Sequence, residues 1–167
     1  KGVVHSTGGY LTYTKYTCAR QFGYNQNSVI MTASDAGWIN GHTYALYGPL
    51  MFGATSVLLE SPISIVDETI MDKIIKDLET TILYLPVTLI RIIKSLNYNK
   101  KAKISKINTL GSMGESLAPG VAKWYSKYFN LKNKSIINTY FQTETGGIIS
   151  SPLFSESIEE APHGTVG

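Results

Sequence analysis

The sequence contains a single cysteine, Cys18, and its three histidines stand far apart at positions 5, 42 and 163. One cysteine excludes an internal disulfide bond, and these residues do not have the spacing of a zinc site. No apolar run reaches the ~18 residues that a membrane-spanning helix needs, and the first residues show no hydrophobic signal region. Together these absences favour a protein of the reducing cytoplasm without a membrane partner.

Arginine is also scarce, since only Arg20 and Arg91 are present. Nucleic-acid binding relies on bidentate arginine contacts to phosphate, so this scarcity and the mild net charge of +3 disfavour a nucleic-acid partner. The lysines concentrate at 94–106 and 123–134. We interpret these two lysine-rich stretches as solvated faces of the protein.

The rest of the composition is that of one globular domain. The chain has 167 residues, of which 43% are hydrophobic and 16% are charged. We find no repeat, no low-complexity linker and no second domain. The chain begins without a methionine and ends in a loop-like segment, so we expect it to be a piece of a longer protein.

Short β-rich apolar runs alternate along the chain with segments of helical spacing. The predicted strands lie at 29–33, 55–59, 81–85, 107–110 and 135–139. The predicted helices lie at 8–22, 41–52, 67–79, 87–97 and 117–129, where Asp67 caps the third and Pro49 with Gly53 closes the second. This alternation predicts an α/β fold of βαβ units around a mainly parallel sheet.

Polar or glycine-rich clusters follow four of the predicted strands, at 34–42, 60–61, 111–116 and 142–147. The carboxyl ends of parallel strands meet at one edge of a sheet, so these clusters predict a single cleft. The last cluster places Gln142, Thr143 and Glu144 together, as in a site for a nucleotide and its metal. A polar β-turn with a glycine pair as its hinge explains the same residues equally well.

The other clusters also allow two interpretations each. Gly111 and Gly114 would let the backbone approach a flat ring, while Ser116 would cap the following helix. Trp38 could wall a small pocket, although core packing is the commoner role of such a residue. His42 is better explained as a hydrogen-bonding residue at a helix start than as a catalytic base.

Five segments, 1–10, 35–42, 47–50, 111–116 and 140–147, occur in the order found in the AMP-forming acetyl-CoA synthetases. By these segments the chain resembles that family, which belongs to the adenylate-forming superfamily. The resemblance implies that 1–167 is a partial AMP-binding domain, part of the large N-terminal domain, without the C-terminal lid domain. It implies a ligase that uses ATP, Mg²⁺ and coenzyme A on a short-chain carboxylate, acetate being favoured over propionate.

The same resemblance implies roles for individual residues. The catalytic residues would be Thr143 and Glu144, with Glu144 holding Mg²⁺. The nucleotide would be bound by Gly114, Glu115, Ser116, Asn138, Thr139, Tyr140, Phe141, Gln142 and Thr143. The acyl pocket would be lined by Trp38, Ile39, Asn40, Met113 and Phe141. Coenzyme A would contact Asn40 and Ser64.

The acyl pocket is where this sequence departs from the acetate enzymes. Ile39-Asn40 stands where they usually have Val-Thr, Met113 where they have Val, and Phe141 where they have Trp. Two of these changes add bulk and one removes it, so the sequence leaves the pocket size open. A non-catalytic nucleotide-binding module that keeps the sheet is the alternative from another class.

Overall fold

The structure is a computed structural model that describes residues 2–96 and 106–166. Its strands are β1 (Val29–Thr32), β2 (Thr55–Val57), β3 (Ile82–Pro86), β4 (Thr109–Met113) and β5 (Ile137–Asn138). They form one sheet in the order β2-β1-β3-β4-β5, and every neighbouring pair is parallel. Each strand overlaps its predicted run, so the predicted α/β fold around a parallel sheet is confirmed.

The centre of the sheet is buried on both faces, which is why β3 is apolar along most of its length. In β3, Ile82 and Tyr84 belong to the hydrophobic core on one face, and Leu83 and Leu85 belong to the core on the other. This alternation follows from the two-residue period of a strand. All four side chains are at most 2% exposed.

Helices cover both faces of the sheet. They are α1 (Thr7–Thr17), α2 (Ile39–His42), α3 (Gly48–Met51), α4 (Glu68–Asp72), α5 (Val87–Ser95) and α6 (Pro119–Tyr128). A π-helical turn extends α1 over Cys18–Phe22, another joins α2 to α3 over Thr43–Tyr47, and a third extends α4 over Lys73–Asp77. The first two π-helical turns contribute Cys18, Phe22 and Tyr44 to the core that contains Tyr84. Helices α4 to α6 contribute to the core that contains Leu83.

Local hydrogen bonds explain where two of these helices begin. The Asp67 carboxylate accepts from the backbone N–H groups of Thr69 (2.8 Å) and Ile70 (3.3 Å), as predicted for an N-cap. The Ser6 hydroxyl accepts from the N–H of Gly9 at 3.2 Å and caps α1 in the same way. No helix within the described ranges has the length and apolar character needed to cross a bilayer. Position 97, the predicted end of α5, lies outside those ranges.

Pro49 does not close the second helical segment as predicted, because it lies inside α3. A proline has no N–H to donate to the carbonyl four residues earlier, which is that of Ala45. In the structure the Ser56 hydroxyl of β2 donates to this carbonyl instead. Pro49 lies in the first turn of α3, where a proline is tolerated, and the carbonyl that its missing N–H leaves free is hydrogen-bonded by Ser56.

The segment after the fourth strand also differs from the prediction. Strand β4 continues to Met113, so Gly111 lies in the buried sheet, where a Cβ would meet the rings of Tyr84 and Phe22. The role predicted for Gly111, close approach to a flat ligand ring, is therefore wrong. Ser116 does not cap α6, whose N-cap is Ala118.

We predict that Gly111→Ala will destabilise the protein by about 1–3 kcal/mol through overpacking. The new Cβ would lie 2.5 Å from Cδ2 of Tyr84 and 2.8 Å from Cε1 of Phe22, and both rings are buried. Chemical denaturation of the complete protein measures the change. Gly120→Ala is the matched control, because no atom lies within 4 Å of its Cβ and alanine favours the helix. Equal stabilities of the two variants would contradict this prediction.

Candidate functional site

A cavity of about 670 Å³ opens at the carboxyl edge of the sheet. It is lined by residues that follow four strands: Ala33, Ser34, Asp35, Trp38, Ile39 and Asn40 after β1, Pro86 and Thr88 at the end of β3, Met113, Gly114 and Glu115 at the end of β4, and Phe141, Gln142, Thr143 and Glu144 after β5. Three of the four predicted clusters therefore meet at one cleft. The cluster at 60–61, which follows the edge strand β2, does not line it.

All five residues predicted for the acyl pocket line this cavity. Trp38 is 66% exposed, so it forms a wall of the cleft and does not pack in the core. Met113 is buried at the end of β4, and Phe141 is half-buried. The Phe141 ring meets the ring of Tyr44 edge-on, with centroids 6.1 Å apart, and this contact helps to position it.

Asn40 differs from the other members of this group because its side chain is polar and only 3% exposed. Within the described part of the chain, neither the nitrogen nor the oxygen of its amide has a hydrogen-bond partner. A buried polar group without a partner costs about 1–3 kcal/mol. A ligand in the cavity that hydrogen-bonds to the Asn40 amide would remove this cost.

The residues predicted to bind the nucleotide separate into two groups. Five of them line the cavity, namely Gly114, Glu115, Phe141, Gln142 and Thr143. Four do not line it, namely Ser116, Asn138, Thr139 and Tyr140.

Asn138 and Thr139 hold neighbouring strand ends together. The carbonyl oxygen of the Asn138 amide accepts from the Ser112 hydroxyl at 3.0 Å, and its NH₂ group donates to the backbone carbonyls of Gly164 and Thr165. The Thr139 hydroxyl donates to the Ser112 carbonyl at 2.9 Å. These contacts use the polar atoms of both side chains within the protein.

Ser64, predicted to contact coenzyme A, lies away from the cavity in a 3₁₀ turn over Pro62–Val66. Its backbone N–H donates to the carbonyl of Ser61, and its carbonyl accepts from the N–H of Asp67, each at 3.0 Å. The structure therefore brings Asn40 to the cleft but does not bring Ser64 there.

The turn after β5 presents Glu144 at the cavity. Thr143–Thr145 forms one 3₁₀ turn, and the Thr145 hydroxyl closes it by accepting from the Gln142 N–H at 3.2 Å. Gly146 ends the turn with a φ of +71°, a backbone conformation that glycine adopts readily. The Glu144 side chain is exposed, and no hydrogen bond or ion pair engages its carboxylate among residues 2–96 and 106–166.

The lining of the cavity is acidic, and its carboxylates differ in how they are engaged. Among residues 2–96 and 106–166 the lining contains Asp35, Glu115 and Glu144 and no lysine or arginine. The Asp35 carboxylate accepts from the N–H of Gly37 at 2.6 Å, and Glu115 pairs with Arg91 at 2.6 Å. An anionic ligand would meet an anionic wall here unless a cation accompanied it.

The donor set at this edge fits Mg²⁺ delivered with a nucleotide. Magnesium prefers oxygen ligands and commonly uses one or two carboxylates together with substrate phosphates. Glu144 supplies one such carboxylate, and the described residues include no group of three or more metal-ligating side chains. A cage made only of protein ligands is therefore absent from the described part of the chain.

Sequence reasoning did not identify several residues at this site. Arg91 of α5 donates to the Glu115 carboxylate and to the Ser116 carbonyl, so it holds the segment after β4. Thr43 and Tyr44 contact the Glu144 turn from behind the cavity. Their only sequence signal was indirect, because they follow Asn40 on the same helical segment.

A parallel α/β sheet with its cavity beyond the strand ends is the arrangement of a small-ligand-binding α/β protein. The sequence pattern of the AMP-binding enzymes matches residues 1–167. The chain therefore belongs to the AMP-binding enzyme family.

Within this family the chain is similar to proteins named acetyl-coenzyme A synthetase. It is 41% identical over 155 residues to acetyl-coenzyme A synthetase 2 of Saccharomyces cerevisiae, which covers 92% of the chain and 23% of that protein. It is 37% identical to acetyl-coenzyme A synthetase of Vibrio parahaemolyticus, covering 92% of the chain and 24% of that protein. The resemblance drawn from the motifs is confirmed, and the chain spans about a quarter of the length of these relatives.

A solved structure of similar fold is the acyl-CoA synthetase of Brucella canis. The TM-score is 0.76, and the alignment covers 89% of the chain and 26% of that structure, at 23% sequence identity. At this identity the similarity supports the fold alone, and it agrees with the predicted α/β fold around a parallel sheet.

We predict that Asn40→Leu will raise the stability of the ligand-free protein by about 1 kcal/mol while lowering its activity, because it removes buried polar atoms that lack a partner. Asn138→Leu is the matched control, since its buried amide is hydrogen-bonded and its loss should destabilise the protein. Thermal or chemical denaturation measures the stability of both variants relative to the unaltered protein. Destabilisation of equal size in the two would show that the Asn40 amide has a structural partner.

Proposed function

We propose that this chain forms the nucleotide- and acid-binding part of an AMP-forming acetate–CoA ligase. The observation that carries the proposal is the meeting of Glu144 with all five predicted acyl-pocket residues around one cavity. The similarity to acetyl-coenzyme A synthetases supports the choice of reaction and of acetate. The catalytic lid would belong to a separate C-terminal domain of the complete protein, which we expect to be cytoplasmic.

In the first half-reaction, a carboxylate oxygen of acetate would attack the α-phosphorus of ATP. The bond from this phosphorus to the bridging oxygen would break, and pyrophosphate would leave with the bonding electrons. Trp38, Ile39 and Met113 would surround the methyl group, because they provide the apolar part of the lining. The Asn40 amide would donate to the acid and so gain the partner it lacks in the free protein.

The nucleotide would lie between the segments that follow β4 and β5. Gly114 and Glu115 would border the adenine, and the Arg91 guanidinium would keep the Glu115 side chain in place. Gln142 and Thr143 would donate to the α-phosphate region as negative charge moves to the leaving group. Asn138, Thr139, Tyr140 and Ser116 would act by supporting these segments and not through contacts in the cavity.

Glu144 would hold Mg²⁺ against the phosphates. The metal would supply positive charge that offsets the repulsion between acetate, ATP and the acidic lining. Because the Glu144 carboxylate is exposed and not engaged by another described residue, it can take this role without breaking an existing ion pair.

In the second half-reaction, the thiol of coenzyme A would attack the acyl carbon, lose its proton and displace AMP. Asn40 lies at the cleft, where it could contact the incoming thiol end. A contact from Ser64 would require coenzyme A to extend beyond the cavity, because Ser64 does not line it.

We expect the complete protein to exchange labelled pyrophosphate into ATP in the presence of acetate, since this assay reports adenylation alone. Acetate, propionate and butyrate should be compared at equal concentrations. The highest rate with acetate supports the proposal. A higher rate with propionate or butyrate would assign that acid as the substrate in place of acetate. No exchange from a folded protein would favour a non-catalytic nucleotide-binding module.

We predict that Glu144→Gln will lower this exchange on the order of 100-fold or more, because an amide is a poor magnesium ligand. Stability should change little, since the side chain is exposed. Glu159→Gln is the matched control, because Glu159 is an exposed carboxylate outside the cavity lining. Normal exchange in Glu144→Gln would refute the metal-binding role of this residue.

A further inference from the structure

The turn that presents Glu144 is held from behind by side chains of α1 and of the π-helical turn Thr43–Tyr47. We call Tyr10, Tyr13, Thr43 and Tyr44 the tyrosine clamp. Each of the four makes a hydrogen bond to the backbone at 146–148 or to another member of the group. None of them lines the cavity, so they do not belong to the set of residues that would touch substrate.

Thr43 provides the first connection between the tyrosine clamp and the turn that presents Glu144. Its hydroxyl is fully buried and donates to the carbonyl of Gly146 at 2.8 Å. Since that proton is used, the Tyr10 hydroxyl must donate to the Thr43 oxygen, at 2.5 Å. The resulting chain of hydrogen bonds runs from α1 through Thr43 to the last residue of the turn.

Tyr44 and Tyr13 provide the second connection. The Tyr44 oxygen accepts from the N–H of Ile148 at 2.8 Å, and the Tyr13 hydroxyl donates to the carbonyl of Ile148. The Tyr44 hydroxyl lies 3.0 Å from the oxygen of Thr17, whose own hydroxyl donates to the carbonyl of Thr14. Burial raises the pKa of Tyr44 well above its usual value, so this side chain keeps its proton.

The glycine pair lets the clamp approach the backbone. A Cβ on Gly146 would lie 3.0 Å from Cδ2 of Tyr10, and a Cβ on Gly147 would lie 3.0 Å from Cε1 of Tyr13 and 3.1 Å from the hydroxyl oxygen of Tyr44. Both glycines are buried against these rings. The hinge interpretation of the glycine pair therefore does not describe this structure, in which the pair is packed and hydrogen-bonded.

The clamp also connects the two halves of the cleft. Thr43 and Tyr44 follow Ile39 and Asn40 after two residues on one helical segment, and that segment provides one wall of the predicted acyl pocket. Through Thr43, the same segment holds the turn that presents Glu144. One short segment therefore contacts both the predicted acyl pocket and the Glu144 turn.

We propose that the tyrosine clamp consists of positioning residues that hold the Glu144 carboxylate in register with the bound acid. This inference rests on the proposed function, because it assigns the clamp to the adenylation step. The clamp acts through the backbone at 146–148, so its loss should weaken use of Mg²⁺ without changing which acid is preferred.

The test compares pairs of variants in the complete protein. Thr43→Val removes the hydroxyl while keeping the shape, and Thr43→Ser restores the hydroxyl. Tyr44→Phe removes the bond to Ile148. Tyr24→Phe removes a buried hydroxyl of the same aromatic cluster, which donates to the carbonyl of Tyr44. The readouts are the maximal rate of pyrophosphate exchange and the Mg²⁺ concentration that gives half of that rate.

We expect Thr43→Val and Tyr44→Phe each to lower the maximal rate by about fivefold or more and to raise the half-saturating Mg²⁺ concentration. Thr43→Ser should recover most of the loss, and Tyr24→Phe should leave both quantities close to those of the unaltered protein. A general loss of stability would not shift the Mg²⁺ dependence. Unchanged Mg²⁺ dependence in both Thr43→Val and Tyr44→Phe would therefore overturn the inference.

Amide hydrogen exchange gives a second readout that does not depend on activity. In the unaltered protein the N–H of Ile148, which donates to Tyr44, should be protected, and Tyr44→Phe should expose it selectively. Fast exchange at this amide in the unaltered protein would overturn the clamp itself. If the complete protein exchanges pyrophosphate and Thr43→Val and Tyr44→Phe leave the rate and its Mg²⁺ dependence unchanged, this inference alone is refuted. If the turn is protected but the protein shows no pyrophosphate exchange, the proposed function is refuted.

Discussion

The structure depends on one constraint, which is that all five strands run in the same direction. Parallel pairing places every strand's carboxyl end at the same edge of the sheet, where Trp38, Met113 and Phe141 meet around one cavity. It also requires helices to return the chain across the faces, and these helices bury both sides of the sheet. The site is therefore a consequence of strand direction, since residues about a hundred positions apart share an edge.

Buried polar groups at this edge serve two different purposes. Asn138, Thr139 and Tyr84 hydrogen-bond within the protein and hold β4 and β5 in register, so their polar atoms stabilise the fold. Asn40 is equally buried but has no partner among the described residues. Buried polar atoms thus stabilise the fold at Asn138, Thr139 and Tyr84, whereas at Asn40 they carry a free-energy cost.

The order of helices and strands was predictable from the sequence, because each depends on a short period of apolar residues. The errors occurred where a distant contact decided the outcome. Pro49 stayed inside a helical segment, where the Ser56 hydroxyl donates to the Ala45 carbonyl, and β4 extended through Gly111, which lies against two buried aromatic rings. The sequence also predicted the cleft, and the residues predicted for the acyl pocket line it, whereas Asn138 and Thr139 hydrogen-bond within the protein beside it.

By itself, the sequence determined the α/β class, the parallel sheet and the family, since these depend on periodicity and on motifs that are local in the chain. Only the tertiary structure decided which motif residues face the cavity, which support it, and that Thr43 and Tyr44 hold the Glu144 turn from behind. The physical reason is that hydrogen-bond partners and burial are properties of three-dimensional neighbours. Residues such as Tyr10 and Gly146 are far apart in sequence, and only the folded chain brings them into contact.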